Sequence, residues 1–382
     1  MPGTSPRTRL IFQNLNAYVG PAALSGSTAT GAMFAIQGTN LPSNTGNNLI
    51  AELANIQSAS LNVGINRNDI NVFGQLARVD QIIISPPTIS MDLTWNATDG
   101  YNEQMLGFNT NGNSFLSGIL TKASDSKNYF LSVSQQGIDD DAVTNPNARD
   151  VYAVGNGFVS NYTFNAAVGQ VATTSISVDA LNVATYTGSS GLQTPAVNPQ
   201  NSQRISAWNF QLPQGRVQSG SNNVFALRPG DISLSFPSAA GFLVPLSGQN
   251  SVQIQSLALS VPISREVLNA LGSPFGYSRE INFPVNANLQ IRALQTEVAP
   301  NSFDQLYCND QNYDLTVTLR QPSCNSTGLA GIILGFNNAK VANIAFSNSI
   351  GSDSSVDISM TSQLAGATSL DGITFSGSYT TS

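Results

Sequence analysis

The side chains best suited to chemistry are few. The chain contains no histidine, which removes histidine-based triads and the common histidine zinc sites. Cys308 and Cys324 have no Cys-x-x-Cys spacing. So sparse a pair is no disulfide framework, and the expectation is two reduced structural thiols in a protein that folds in a cytoplasm. Carboxylates cluster at Asp139, Asp140 and Asp141, with Asp150 nearby. Such a loop has the oxygens Ca²⁺ takes, but it lacks the spacing and the glycine of an EF-hand, so a solvated loop is expected. No G-x-x-x-x-G-K-[ST] phosphate loop occurs, and nothing singles out a carboxylate pair for glycoside hydrolysis. Asn96, Asn161 and Asn325 head glycosylation sequons, which mean little without a secretory signal. The expectation is a protein that is not an enzyme and has no catalytic residues, no metal and no cofactor.

Composition points the same way. Hydrophobic residues make up 41% of the 382 positions, enough for real cores, but charged residues only 10%. An ordinary soluble domain has ~25% charged residues. A neutral polar surface suits a protein covered by copies of itself, and equally a secreted β-protein of low surface charge. The net charge is −7 and no basic run is present, which disfavours tight binding to DNA phosphates. No apolar stretch approaches the ~18 residues of a membrane span. No apolar region follows Met1–Arg9, so no secretory signal is expected.

The chain matches itself. Ile56–Gly74 (IQSASLNVGINRNDINVFG) lies over Ile254–Gly272 (IQSLALSVPISREVLNALG) without a gap, with Arg67/Arg265, Asn71/Asn269 and Gly74/Gly272 among the identities. Further matches follow in order: Asn128–Ser134 over Asn312–Thr318, Val159–Phe164 over Val341–Phe346, and Ser175–Val178 over Asp357–Met360. This order predicts two tandem homologous domains, at 1–185 and 205–382. The segment 186–204, rich in Thr, Ser, Gly, Asn, Gln and Pro, reads as a linker or insertion rather than core.

The apolar pattern has period two, the mark of half-buried strands. Ala59, Leu61, Val63 and Ile65 alternate with small polar residues, as do Leu257, Leu259, Val261 and Ile263. Ile89, Met91, Leu93 and Trp95 form a second such series, matched by Val285, Ala287, Leu289 and Ile291. Two further strands per copy are expected around Tyr129–Val133 and Ile176–Val178, then Tyr313–Leu319 and Val356–Met360. One short helix per copy is expected near Thr98–Leu106 and Pro300–Leu306, with Asp/Asn-type caps. Each copy is therefore predicted to be mainly β: a β-sandwich or barrel-like domain with one short helix, duplicated in tandem. One strand face lies on the core and the other stays polar.

The series R-N-D-I-N-V-F-G, then P-x-I-S-M-D-L-T-W, then Asn102-Glu103-Gln104-Met105-Leu106-Gly107 resembles bacteriophage tail tube proteins. The resemblance covers about one such domain per half. It departs at Asn301–Leu306 of the second copy, where the Asn-Glu-x-x-Leu-Gly element is missing. What it implies is a virion structural protein, assembled in the host cytoplasm into the tail. Rings of six domains stack around a channel for double-stranded DNA ejection, and a two-domain chain needs three copies per ring. Strands of neighbouring domains would join into a continuous inner barrel. Implied partners are the chain itself, a tape measure, a tail tip or baseplate, a terminator, a sheath where the tail is contractile, and DNA in transit without sequence-specific binding.

A low-charge lumen lets DNA pass without holding its phosphates. The candidate lumen-facing residues are Ser58, Ser60, Asn62, Ser90, Asp92, Thr94, Ser256, Ser260, Asn286, Asn288 and Gln290. Arg292 breaks the pattern and is expected in a salt bridge or at a ring boundary. The loops Arg67–Asp80 and Arg265–Glu280 are candidate contacts to the next subunit or ring. Arg67, Asn71, Gly74, Arg265, Asn269 and Gly272 are their leading residues. The competing readings are another tail or baseplate ring protein of the same fold and a β-rich adhesin that binds a host.

Overall fold

The computed structural model describes residues 15–22, 34–35, 50–83, 85–120, 125–134, 149–189, 191–205, 209–212, 232–235, 254–272, 275–294, 312–320, 330–347, 354–364, 366 and 369–378. The expectations for Asp139–Asp141, Cys308, Cys324 and the second helix at Pro300–Leu306 concern residues outside this set.

The protein is mainly β. Its first half holds β1 (Leu15–Pro21), β2 (Ile56–Gly64), β3 (Arg67–Ile70), β4 (Asp80–Ile83), β5 (Thr88–Asn96), β6 (Lys127–Ser134), β7 (Arg149–Ala167), β8 (Thr173–Ala180) and β9 (Asn182–Thr187). Two short helices, α1 (Tyr101–Leu106) and α2 (Ser117–Leu120), sit between β5 and β6, where the sequence pattern predicts one. The second half holds β10 (Ile232–Ser235), β11 (Ile254–Pro262), β12 (Arg265–Leu268), β13 (Ser278–Ile281), β14 (Val285–Leu294), β15 (Tyr313–Arg320), β16 (Ala330–Ser347), β17 (Ser355–Leu364) and β18 (Gly372–Gly377).

The same pairings occur in both halves. A front sheet runs β2-β5-β8-β7 in the first and β11-β14-β17-β16 in the second, antiparallel throughout. A back sheet runs β1-β6-β7-β9 and β10-β15-β16-β18. Register repeats residue for residue: Leu61 faces Met91 as Leu259 faces Leu289, and Tyr162 faces Ile176 as Ile344 faces Ile358. The irregularities repeat too. The register shifts between Ile56 and Ser58 and between Ile254 and Ser256, then between Val159 and Asn161 and between Val341 and Asn343. Bulges bend a strand at a set point and are positional features rather than noise.

The long strands β7 and β16 belong to both sheets, and each bends where it passes from back to front. A left-handed asparagine marks the bend in both, Asn156 at φ 52° and Asn338 at φ 51°. Asparagine tolerates that region because its short polar side chain can bond locally. The Asn156 carboxamide oxygen accepts from the Val197 N–H at 2.7 Å.

One sequence match is out of step with the pairing. Tyr129 faces Val154, and the residue facing the equivalent Phe336 is Leu315. Tyr129 thus corresponds to Leu315 and not to Tyr313, a displacement of two residues. Alternating strands can be overlaid at any even offset with apolar positions still coinciding, so a short match does not fix register.

Between the sheets lies one core, with Met91, Leu93, Trp95, Tyr162, Phe164, Ile176 and Val178 buried in the first half and Leu259, Leu289, Ile291, Ile358 and Met360 in the second. Phe108 and Phe115 stack at 4.3 Å and Phe115 meets Tyr162 at 4.8 Å. The α1 element serves this packing. Asn102 accepts from the Ala54 N–H and donates to the Ala54 carbonyl, both at 2.8 Å, which ties the chain entering β2. Leu106 is buried, and Gly107 at φ 101° ends the helix, its N–H bonding the Gln104 carbonyl. The helix N-cap is Gly100 rather than an Asp or Asn side chain, although Asp99 accepts from the Tyr101 N–H at 3.1 Å.

The 186–204 segment differs from expectation. Leu192, Ala196 and Val197 are buried, and Leu192 joins Phe130, Val151 and Phe210 in a second small core behind the back sheet. Its apolar residues are too few and too spaced to show a period, which is why composition pointed to a linker.

Candidate functional site

The two front sheets are one sheet. β7 pairs with β11 antiparallel, from Asn161 opposite Pro262 to Ala167 opposite Ser256. Eight strands therefore run in the order β2-β5-β8-β7-β11-β14-β17-β16. The sheet has two ends, β2 and the C-terminal part of β16, and no described strand pairs with the outer edge of either.

Burial separates the ends from their equivalents at the internal seam. Val261 and Ile263 of the seam are 0% exposed, while Val63 and Ile65 are 43% and 50% exposed. Phe164 of β7 is 0% exposed and its equivalent Phe346 of β16 is 48% exposed. The expectation that Val63 and Ile65 lie on a core is thus corrected. The alternation is real, but an edge strand covers its apolar row only when a neighbour arrives.

The polar face of this sheet gathers the residues singled out from alternation. Ser58, Thr94, Ser175, Thr163, Ser260, Asn288, Thr361 and Lys340 stand opposite one another in a single row across all eight strands. Neighbouring rows hold Ser60 with Asp92, Asn62 with Ser90, and Ser256 with Arg292. Gln290 faces Ser359, and Asn286 faces Gln363. Each of the eleven candidates is exposed or half-buried. Asp92 is fixed by Ser60 Oγ at 3.1 Å and Ser177 Oγ at 2.8 Å, both donating. Arg292 lies 3.7 Å from Asp357 and donates to Ser355 Oγ. The front-sheet strands carry Asp92, Asp179 and Asp357 against Arg292 and Lys340, so the face leans slightly acidic.

The stretches read as loops are two-stranded hairpins. Arg67 faces Ile83 and Arg265 faces Ile281, with Gly74 at φ 88° and Gly272 at φ 83° in the connections. The short strands escape the sequence pattern because they bury little and alternate for only four residues. Their environments differ. The β12–β13 hairpin packs on the first half, with Arg265 2.6 Å from Asp125. The Arg265 and Arg279 guanidinium carbons lie 5.0 and 5.6 Å from the Phe158 ring centroid, a distance that allows cation–π attraction. Burial pulls the Arg279 guanidinium down from its ordinary value, with Asp179 opposing. The β3–β4 hairpin stands free of the core: Arg67, Asn71, Val72, Phe73 and Leu76 are exposed. Phe73 and its equivalent Leu271 are both fully exposed. Asn269 is exposed as well.

One buried acid was missed from the sequence. Glu103 of α1 is 2% exposed, and burial raises its carboxyl to about 7. Tyr162 Oη donates to it at 3.4 Å. The Asn-Glu-x-x-Leu-Gly pattern marked its place but not its burial. Among the described residues no three His, Cys, Asp or Glu side chains gather to hold a metal ion, and no helix is long and apolar enough to cross a membrane.

No family model matches the sequence, and no curated protein matches it. Several solved structures resemble part of the chain. A chain in the virion of a native gene transfer agent particle has 13% identity and a TM-score of 0.26, covering 40% of this chain and 100% of that one. A chain of the six-fold symmetrised baseplate of the anti-feeding prophage has 11% identity and a TM-score of 0.24, covering 39% and 93%. Hcp1 from Flavobacterium johnsoniae has 13% identity and a TM-score of 0.22, covering 35% and 93%.

Proposed function

We propose that the chain is a structural ring subunit of a phage tail tube, built from two tandem copies of one domain with boundaries near 1–185 and 205–382, and that it is not an enzyme. The observation that carries this reading is the unbroken eight-stranded sheet with two open apolar edges. Its internal seam joins one half to the next, and the same join between chains would add halves until the sheet closes. Unpaired edges left exposed invite such addition, and closure removes them.

Three chains would place six halves and 24 strands around one axis, with pseudo-sixfold symmetry. At ~4.8 Å per strand and a tilt near 40° the backbone wall would be roughly 45–50 Å across, which leaves room for a DNA duplex after side chains are subtracted. The polar face then lines the channel. Its Ser, Thr, Asn and Gln rows offer DNA few cations, and Asp92, Asp179 and Asp357 repel phosphate. The β3–β4 and β12–β13 tips, with exposed Phe73 and Leu271, would meet the next ring. Other tail proteins would initiate and end the tube, and the assembled particle is its place of action.

Electron microscopy and light scattering of the purified protein at rising concentration test this reading. Rings or tubes with an open channel are expected. A chain that stays monomeric even on purified tail-tip complexes contradicts it.

A further inference from the structure

The internal seam joins β7, the equivalent of the end strand β16, to β11, the equivalent of the end strand β2. β7 and β16 are equivalent strands with bulges at equivalent positions, and β2 and β11 pair in one register with β5 and β14. At the seam Tyr162 faces Val261 and Phe164 faces Leu259 on the core side, while Thr163 faces Ser260 on the polar side. Carried over, these pairs become Ile344 with Val63, Phe346 with Leu61, and Ala345 with Asn62.

We propose, on the reading of the chain as a ring subunit, that β16 of one chain pairs antiparallel with β2 of a second copy in this register. Asn343 then stands opposite Gly64, Ile344 opposite Val63, Ala345 opposite Asn62, Phe346 opposite Leu61 and Ser347 opposite Ser60. The apolar side chains left open at the two ends fall on the same side and cover each other. The polar faces of successive chains stay in phase, with the small Ala345 and Ser347 in the places of Thr163 and Asn165. A slip of one residue sets Phe346 against a polar neighbour and turns one strand's apolar row to the wrong face.

The hairpin contacts are not copied with the strands. At the internal seam Arg265 and Arg279 stack on Phe158. The equivalent positions between chains hold Arg67, Gln81 and Lys340, which offer no ring and set two cations together. The strand register therefore carries the contact, and the β3–β4 hairpin adds little to it.

Paired cysteines read the register. In a Cys308→Ser, Cys324→Ser background, Asn62→Cys is combined in turn with Ala345→Cys, Asn343→Cys and Ser347→Cys. Residues directly opposite have Cα atoms ~4.5–5.5 Å apart, within disulfide reach, whereas positions two residues on lie beyond it. After assembly and mild oxidation, the Asn62→Cys, Ala345→Cys protein should link chains at least about tenfold more than either neighbour, on gels without reductant. Assembly with linkage strongest in a displaced pair overturns the register and leaves the ring reading standing. Failure of the unmodified protein to assemble even on purified tail-tip complexes overturns both. If a cysteine variant does not fold, an atomic-resolution map of the assembled unmodified protein decides by showing which residue stands opposite Asn62.

Discussion

The seam between the two halves and the two ends of the sheet are built from equivalent strands, yet they look unlike. At the seam Leu257, Leu259, Val261 and Ile263 meet Tyr162, Phe164 and Ala166, and all are buried. At the ends Val63, Ile65 and Phe346 are about half exposed. The strands alternate alike, so sequence pattern does not make the difference; the presence of a neighbour does. An apolar row kept at an open edge is costly in a lone chain, and its retention at both ends argues for a partner at both.

Substitutions that set equivalent positions against each other can break or sharpen this comparison. The largest effect is expected from a buried charge. Val261→Asp should destabilise the chain by at least about 4 kcal/mol in urea unfolding, because an unpaired carboxylate enters a dry core. Val63→Asp should cost under about 1 kcal/mol in the isolated chain but abolish assembly in sedimentation. Equal destabilisation by both would erase the distinction between seam and edge.

The hairpins come next. Asp125→Ala leaves Arg265 without its 2.6 Å partner at a site where both side chains are largely buried, a loss of about 3 kcal/mol. The exposed equivalent, Arg67→Leu, should change chain stability by no more than about 0.5 kcal/mol.

A pH effect should follow from the first half. The Glu103 carboxyl sits near 7 in the fold, above its ordinary 4.5. Folding therefore favours its neutral form. Its contribution is fully present below pH 4.5 and is lost as pH rises through about 7. Thermal melts should show stability falling across that window by up to roughly 3 kcal/mol. Glu103→Gln should flatten this part of the profile and stabilise the protein at pH 8. An unchanged profile would mean that water reaches the carboxylate.

The smallest effect on the chain is expected at the tips. Phe73→Ser and Leu271→Ser remove fully exposed side chains and should leave unfolding within about 0.5 kcal/mol. Tube length by electron microscopy should nonetheless fall if these tips join rings.

The sequence made the strand phase plain because Leu61, Met91, Leu259 and Leu289 alternate with small polar residues over long enough runs to see. The polar rows of the candidate channel face follow from the same alternation. What stayed hidden depends on tertiary placement. Nothing local tells Val63 from Val261, since edge and interior differ only in what lies beside them. The β3–β4 and β12–β13 hairpins are short and mostly exposed, so their pairing leaves no apolar period. Leu192, Ala196 and Val197 pack singly among polar residues and read as linker. Tyr129 was aligned two residues from its true counterpart, because period-two patterns repeat at every even shift.

Native mass spectrometry of the smallest closed assembly tests the central claim most directly. A ring closed by β16 of each chain on β2 of the next should contain three chains, and larger assemblies should be multiples of three. Closed rings of any other number, or chains that add only in open, unclosed arrays, would contradict the account.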